Sequence, residues 1–329
     1  MFITAKKTLV CILVAVVLAA SLVSCASARG EAPVPEKAPA VLTKEDARMF
    51  WSISGTDKNG NPSKIYIQGT FHIADERCYP LATAVSEAFM NADRVFGELS
   101  TEGNAELVER MPAVYEESQA RANGRRLTEN LSEEDVLFLI SLAGQESVDA
   151  LDAFEPWVFT TVLDTSIYLI NGFAAEYGPD AVFNNQAMML GKNVEGLDTV
   201  DCQLEALSFG TYDQQMINFK KSLDAFKDLA STKQEALDFY QAYLDGDVEK
   251  IAEIGFGELE DENLSAEEQA FNEGYEQVLI YDRNEKWAGI FEDLLEEGGT
   301  TFVYAGTLHF VGDHSVFSYM EENGTLVTE

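Results

Sequence analysis

The chain is 329 residues long and carries 57 Asp and Glu against 22 Lys and Arg, a net charge of −35. Phosphate backbones are gripped by a basic face, so this balance argues against nucleic acid as a partner. Four cysteines are too few to staple a chain of this length, and the fold must rest on a buried apolar core.

In chain order, Lys6 and Lys7 precede an almost unbroken apolar run from Leu9 to Ala20, which reads as an export signal. The run is too short to span a bilayer comfortably. It ends in Leu22-Val23-Ser24-Cys25, which resembles the bacterial lipobox cut just before its cysteine. The expected organisation is a lipoprotein signal peptide over residues 1–24, a lipidated flexible tether over 25–45 and one domain over 46–329. Cys25 would carry the lipid and hold the chain to the membrane, outside the cytoplasm in a bacterial cell envelope. Pro33, Pro35 and Pro39 prevent regular structure in the tether. An ordinary secretory signal or an uncleaved anchor helix is the alternative. Within the domain Cys78 and Cys202 are left, free to pair or to stay reduced.

Phe50 to Ser54 and Lys64 to Gln68 read as a hairpin across the turn Asp57-Lys58-Asn59-Gly60. Pro80 suits a first helical turn, with Leu81, Val85, Ala88 and Phe89 at helical spacing behind it. Arg94 to Leu99 returns to a strand. Asn104 to Leu190 is mostly helical, with Ser132 as a cap and Pro156 opening an apolar segment to Ile170. Lys192 to Gly196 predicts a short strand, and a second helical block runs from about Leu204 to Leu295, broken near Gly246 and Asp261. Thr301 to Ala305 is a buried strand, followed after Gly312 by a short helix and an extended end. Strands at both ends of the domain must meet in one sheet. The fold class is therefore α/β, a central sheet of N- and C-terminal strands with a large helical middle region.

Only three histidines occur, and two sit in matching contexts: Gly69-Thr70-Phe71-His72 and Gly306-Thr307-Leu308-His309, each behind an apolar strand. Glycine there allows a tight exit or a positive φ, and an imidazole three residues on reaches the crevice beyond the strand's carboxyl end. Two such strands side by side aim two histidines at one point. Two imidazoles need an anionic partner to form a hydrolytic metal centre, and Glu98, at the end of the Arg94 strand, supplies it as ligand or as general base. Asp198 is expected to orient a histidine from behind. Arg283, followed by Asn284, opens a helix leading to the His309 strand, where it could position substrate or stabilise developing charge. His314 is given no role.

These motifs, in this order, resemble the TraB/GumN family, which includes the TIKI proteases and the pheromone-shutdown proteins. The resemblance rests on Gly69-Thr70-Phe71-His72, Tyr79-Pro80-Leu81, the strand ending in Glu98, Pro156-Trp157, Gly178-Pro179-Asp180, Gly196-Leu197-Asp198-Thr199 with Gln203-Leu204, Arg283-Asn284 and the closing Gly306-Thr307-Leu308-His309. Asp198 stands where the family has glutamate. The resemblance implies an α/β fold related to the erythromycin esterase and ChaN-like proteins, with the histidines and the glutamate at the active centre. It also implies peptidase activity supported by divalent metal. The expectation is a metal-dependent hydrolase of peptides or proteins in which His72, Glu98 and His309 hold manganese, cobalt or zinc. The alternatives are a non-catalytic protein that sequesters a peptide signal or haem in the same crevice, and an acidic helical surface that docks an envelope protein.

Overall fold

The computed structural model describes residues 38–257 and 265–328. The expected signal peptide, Cys25 and most of the tether lie outside the described residues. The sheet begins at β1 (Ala40–Lys44), inside the stretch 25–45 assigned to the tether. The Pro-rich composition hid it: Ala40 and Leu42 are buried and Val41 is half-buried, and three residues of β1 pair in parallel with β7 (Leu326–Thr328) at the far end of the chain.

Seven strands form one sheet in the order β5-β4-β6-β3-β2-β1-β7. The hairpin is β2 (Phe50–Thr56) and β3 (Pro62–Thr70), antiparallel, with Asp57 accepting the backbone N–H groups of Asn59 and Asn61 to close the turn. β3 then runs parallel to β6 (Gly299–Gly306), which runs parallel to β4 (Arg94–Gly97), which runs parallel to β5 (Val194–Gly196). Four carboxyl ends therefore share one edge, the usual location of a site in an open parallel sheet. The two ends of the chain do meet in this sheet, with β6 inserted between β4 and β3.

Residue alternation along β6 splits the core. Phe302 and Tyr304 face a layer made by α1 (Thr83–Asn91) and a helix over Pro179–Leu190, through Phe89 and Phe183. Val303 and Ala305 face the opposite layer, where the helix over Asp282–Glu297 buries Trp287, Phe291 and Leu294. The helical middle builds a third core of its own around Leu107, Trp157, Phe159 and Phe219. The entry to α1 differs from expectation. Pro80 lies in a bend and the helix starts at Thr83, because the φ that Pro fixes serves a turn as well as a first helical turn. Cys78 and Cys202 are both free: Cys78 is buried against the Tyr240 hydroxyl, and Cys202 lies in the first turn of the helix capped by Thr199.

Candidate functional site

The register places the chemistry. Thr70 pairs with Gly306, so β3 and β6 end level with one another, and Phe96 pairs with Val303, so β4 ends slightly earlier along the same edge, where His72, His309 and Glu98 are released. Neither Gly69 nor Gly306 has a positive φ; close approach is what requires them. A Cβ on Gly69 would lie 2.8 Å from Thr307 Oγ1. A Cβ on Gly306 would lie 3.2 Å from Glu98 Oε1, 3.5 Å from His72 Nε2 and 3.7 Å from His309 Cδ2. Gly306 thus keeps open a small cradle walled by one carboxylate oxygen and two imidazole rings.

Each wall is fixed from behind. His72 Nδ1 lies 3.0 Å from Asp180 Oδ2, and Thr70 Oγ1 donates to Asp180 Oδ1 at 2.6 Å. The carboxylate therefore holds the His72 proton on Nδ1 and turns Nε2 toward Glu98 Oε1, 3.7 Å away. Asp180 reaches this point because Gly178 lies flat against the His72 carbonyl, where a Cβ would collide. His309 Nδ1 lies 2.6 Å from Asn284 Oδ1, and Asn284 Nδ2 donates to the His314 carbonyl at 2.7 Å. With its amide oriented by that second bond, Asn284 can only accept from His309, so the His309 proton sits on Nδ1 and Nε2 keeps its lone pair.

Glu98 is saturated on one side and open on the other. Oε2 accepts from Arg283 Nη2 at 2.6 Å and from Gln203 Nε2 at 3.0 Å, while Oε1 accepts the Gly306 backbone N–H at 2.8 Å and faces His72. Arg283 is itself clamped: Nε donates to Asp198 Oδ2 at 2.6 Å and Nη1 to the Leu279 carbonyl at 2.8 Å, in a single π-helical turn over Gln277–Tyr281. Asp198 also accepts from Trp287 Nε1 at 3.0 Å and Lys286 Nζ at 3.2 Å. Asp198 consequently orients the arginine, and Asp180 does the work expected of it behind a histidine. Each of the three Arg283 nitrogens has a protein acceptor, one of them Glu98, so Arg283 positions the carboxylate.

The electrostatics follow from these pairs. Burial alone would push Glu98 up, but the Arg283 guanidinium, helped by the two histidines and the Gly306 N–H, holds it well below the usual carboxylate range. The Asp180 carboxylate outweighs desolvation at His72 and raises its pKa to about 9. Burial and the Arg283 charge drive His309 well below its ordinary value, so it is neutral. Exposure is uneven: the His72 side chain is 62% exposed, that of Glu98 10% and that of Arg283 7%. His72 is thus the exposed wall of the cradle.

Donor atoms of His72, Glu98 and Asp180 lie within 4.8 Å of one another. His309 is not part of that tight group, although its ring lines the same cradle. Sequence reasoning gave Asp180 and Gln203 no role of their own. An acid at the second residue of a helix looks like ordinary first-turn charge, and the motif Gly178-Pro179-Asp180 was the one signal that pointed to it.

A sequence profile of the TraB/PrgY/gumN family matches residues 49–329. The chain belongs to this family. Within the TraB/PrgY/gumN match fall both histidine motifs, Glu98, Asp180, Asp198 and the Arg283-Asn284 pair. An uncharacterized protein of Treponema pallidum (strain Nichols) is 24% identical over 318 residues, covering 94% of this chain and 90% of its own length. No solved structure matches.

Proposed function

We propose that this TraB/PrgY/gumN protein is a metal-dependent hydrolase, acting on peptide bonds at the cradle in front of Gly306. The supporting observation is the cradle itself, a space that a single methyl group would fill, bounded by an ionised carboxylate oxygen and two imidazoles whose Nδ1 atoms are held from behind. This mixed nitrogen and oxygen donor set suits a divalent ion such as manganese, cobalt or zinc. His72 Nε2 and Glu98 Oε1 would hold it, with His309 Nε2 as the further donor. A bound ion would supply Lewis acidity to a carbonyl and an activated water.

The chain's own residues prepare for that chemistry. Arg283 keeps Glu98 anionic, so the carboxylate meets a cation already ionised, whereas His72, whose pKa Asp180 raises to about 9, must give up its Nε2 proton as the cation binds. Asn284 keeps His309 neutral with its lone pair free. Asp180, which already serves Thr70 and His72, increases the basicity of His72 rather than competing for the centre. The exposed flank of His72 admits substrate while the helix over Asp282–Glu297 closes the opposite side.

The location we propose is the cell envelope, through acylated Cys25. Among the described residues no helix is long and apolar enough to cross a membrane. Labelled palmitate entering the wild type and not Cys25→Ala tests the anchor. For the reaction, the purified protein is incubated with a peptide library and added manganese, cobalt or zinc, and products are read by mass spectrometry. Cleavage by wild type and its loss in His72→Ala and Glu98→Gln is the expected result. Equal product from all three ends the hydrolase reading, and stoichiometric retention of a peptide without product replaces it with sequestration.

A further inference from the structure

A second concavity lies on the far side of the Asp198 clamp. At the β5 edge of the sheet, the face that carries Phe96 and Glu195 borders a gap. The helix over Asp282–Glu297 forms one wall, turning Lys286, Ile290, Asp293, Leu294 and Glu297 toward the gap. The result is a groove of about 570 Å³, within the range of about 300–1,000 Å³ typical of ligand sites. Its floor is apolar, made by Phe96, Leu197 and Leu294.

The rim decides the class of occupant. Its two cations are already spent, Arg94 on Glu195 and Glu297, and Lys286 on Asp198. Two acids remain without a cation: Glu102, which accepts from the Ser100 hydroxyl, and Asp293, which has no partner among the described residues. They come from different helices bordering the groove. Asp293 shows the strain of this arrangement, its pKa pushed up by burial and by Glu296, Glu297 and Glu292. An apolar floor beneath unpaired acids suits an extended chain that turns alternate side chains down and up, apolar inward and basic outward.

We propose that this groove binds an extended cationic peptide segment. The binding is independent of hydrolysis and of any metal, because the groove lies on the Asp198 side of the clamp and the cradle on the Glu98 side.

The test is fluorescence anisotropy of fluorescein-labelled Lys-Val-Lys-Val-Lys-Val titrated with the full chain, with chelator present so that turnover plays no part. One peptide should bind per chain, saturably, and the serine-for-lysine version should not bind. Asp293→Lys, and separately Glu102→Lys in case the first variant fails to fold, should each weaken binding about tenfold. Glu116→Lys, which reverses an exposed acid away from the groove, should change it by no more than about twofold. Absence of saturable binding by the wild type, or an equal loss in Glu116→Lys and Asp293→Lys, overturns the proposal. The latter would mean that the overall charge of the chain, and not the groove, attracts the peptide.

Discussion

Replacing Arg283 with methionine removes the cation that bridges the buried carboxylates of Glu98 and Asp198 while keeping most of the side-chain volume. The structure gives the losses: two charge-assisted bonds of 2.6 Å, to Glu98 and Asp198, a third bond to the Leu279 carbonyl, and a guanidinium lying 5.0 Å from the Trp287 ring centre. Breaking a buried ion pair from one side costs about 3–5 kcal/mol, because the partner charge stays behind unpaired. Asp198 keeps Lys286 and Trp287, so Glu98 bears most of the cost and the lower half of that range is expected. At about 2–4 °C per kcal/mol for a chain of this size class, the melting temperature should fall by roughly 6–15 °C. The pH dependence separates this cause from lost packing. In the wild type the Glu98 pKa is depressed, so its contribution is present above the usual carboxylate range and fades as pH falls through it. In the variant, burial without the guanidinium raises the Glu98 pKa, so the protonated form is favoured and the penalty grows as pH rises. The gap between the two proteins, measured by calorimetry with chelator present, should therefore narrow from pH 8 to pH 5. A gap that stays constant over this range, or a melting temperature within about 2 °C of wild type, would refute the clamp.

Other expectations are more direct. Gly306→Ala puts a methyl group in the cradle without backbone strain, since φ is −51° and ψ 132°, and calorimetric titration should show manganese and zinc binding abolished while the protein stays folded. Unchanged metal binding would remove the cradle from consideration. Asp180→Asn should return the His72 pKa from about 9 toward its ordinary 6.5 in an NMR titration of the metal-free protein. The raised value makes His72 a stabilising group below its unfolded pKa, lost as pH climbs toward 9, and the variant should lack that alkaline fall. Asn284→Leu leaves the His309 Nδ1–H and the His314 carbonyl without their partner, a cost of about 1–3 kcal/mol. Nitrogen-detected NMR should then no longer find the His309 proton confined to Nδ1.

The paired Gly-Thr-x-His segments were legible because a rare side chain recurred at the ends of two apolar strands, and strands that bury both faces announce themselves by composition. Glu98 followed from the same logic. What lay hidden was the wiring behind them. Asp180 is 108 residues from His72, and no periodicity links the two, because a carboxylate at the start of any helix is locally reasonable. Asp198 was placed behind a histidine on its position after a short strand, yet its reach is set by Leu197 turning into the core and by the Trp287 indole on the helix opposite. Arg283 carries no label in its own neighbourhood for whether it will meet substrate or protein; three acceptors from three separate segments decide it. β1 was missed for a simpler reason, since five residues after a proline cluster offer too little alternation to read.

The position of β6 in the sheet constrains how this molecule can come into being. Until residues 299–306 emerge, the strands that deliver His72 and Glu98 have nothing to bridge them, and the histidine of the last strand does not yet exist. The helical middle, with its separate core, can consolidate while synthesis continues, but the edge that carries the cradle assembles only at the end. A nascent chain therefore lacks the assembled cradle for almost its whole length, and a prematurely stopped product without β6 cannot form it.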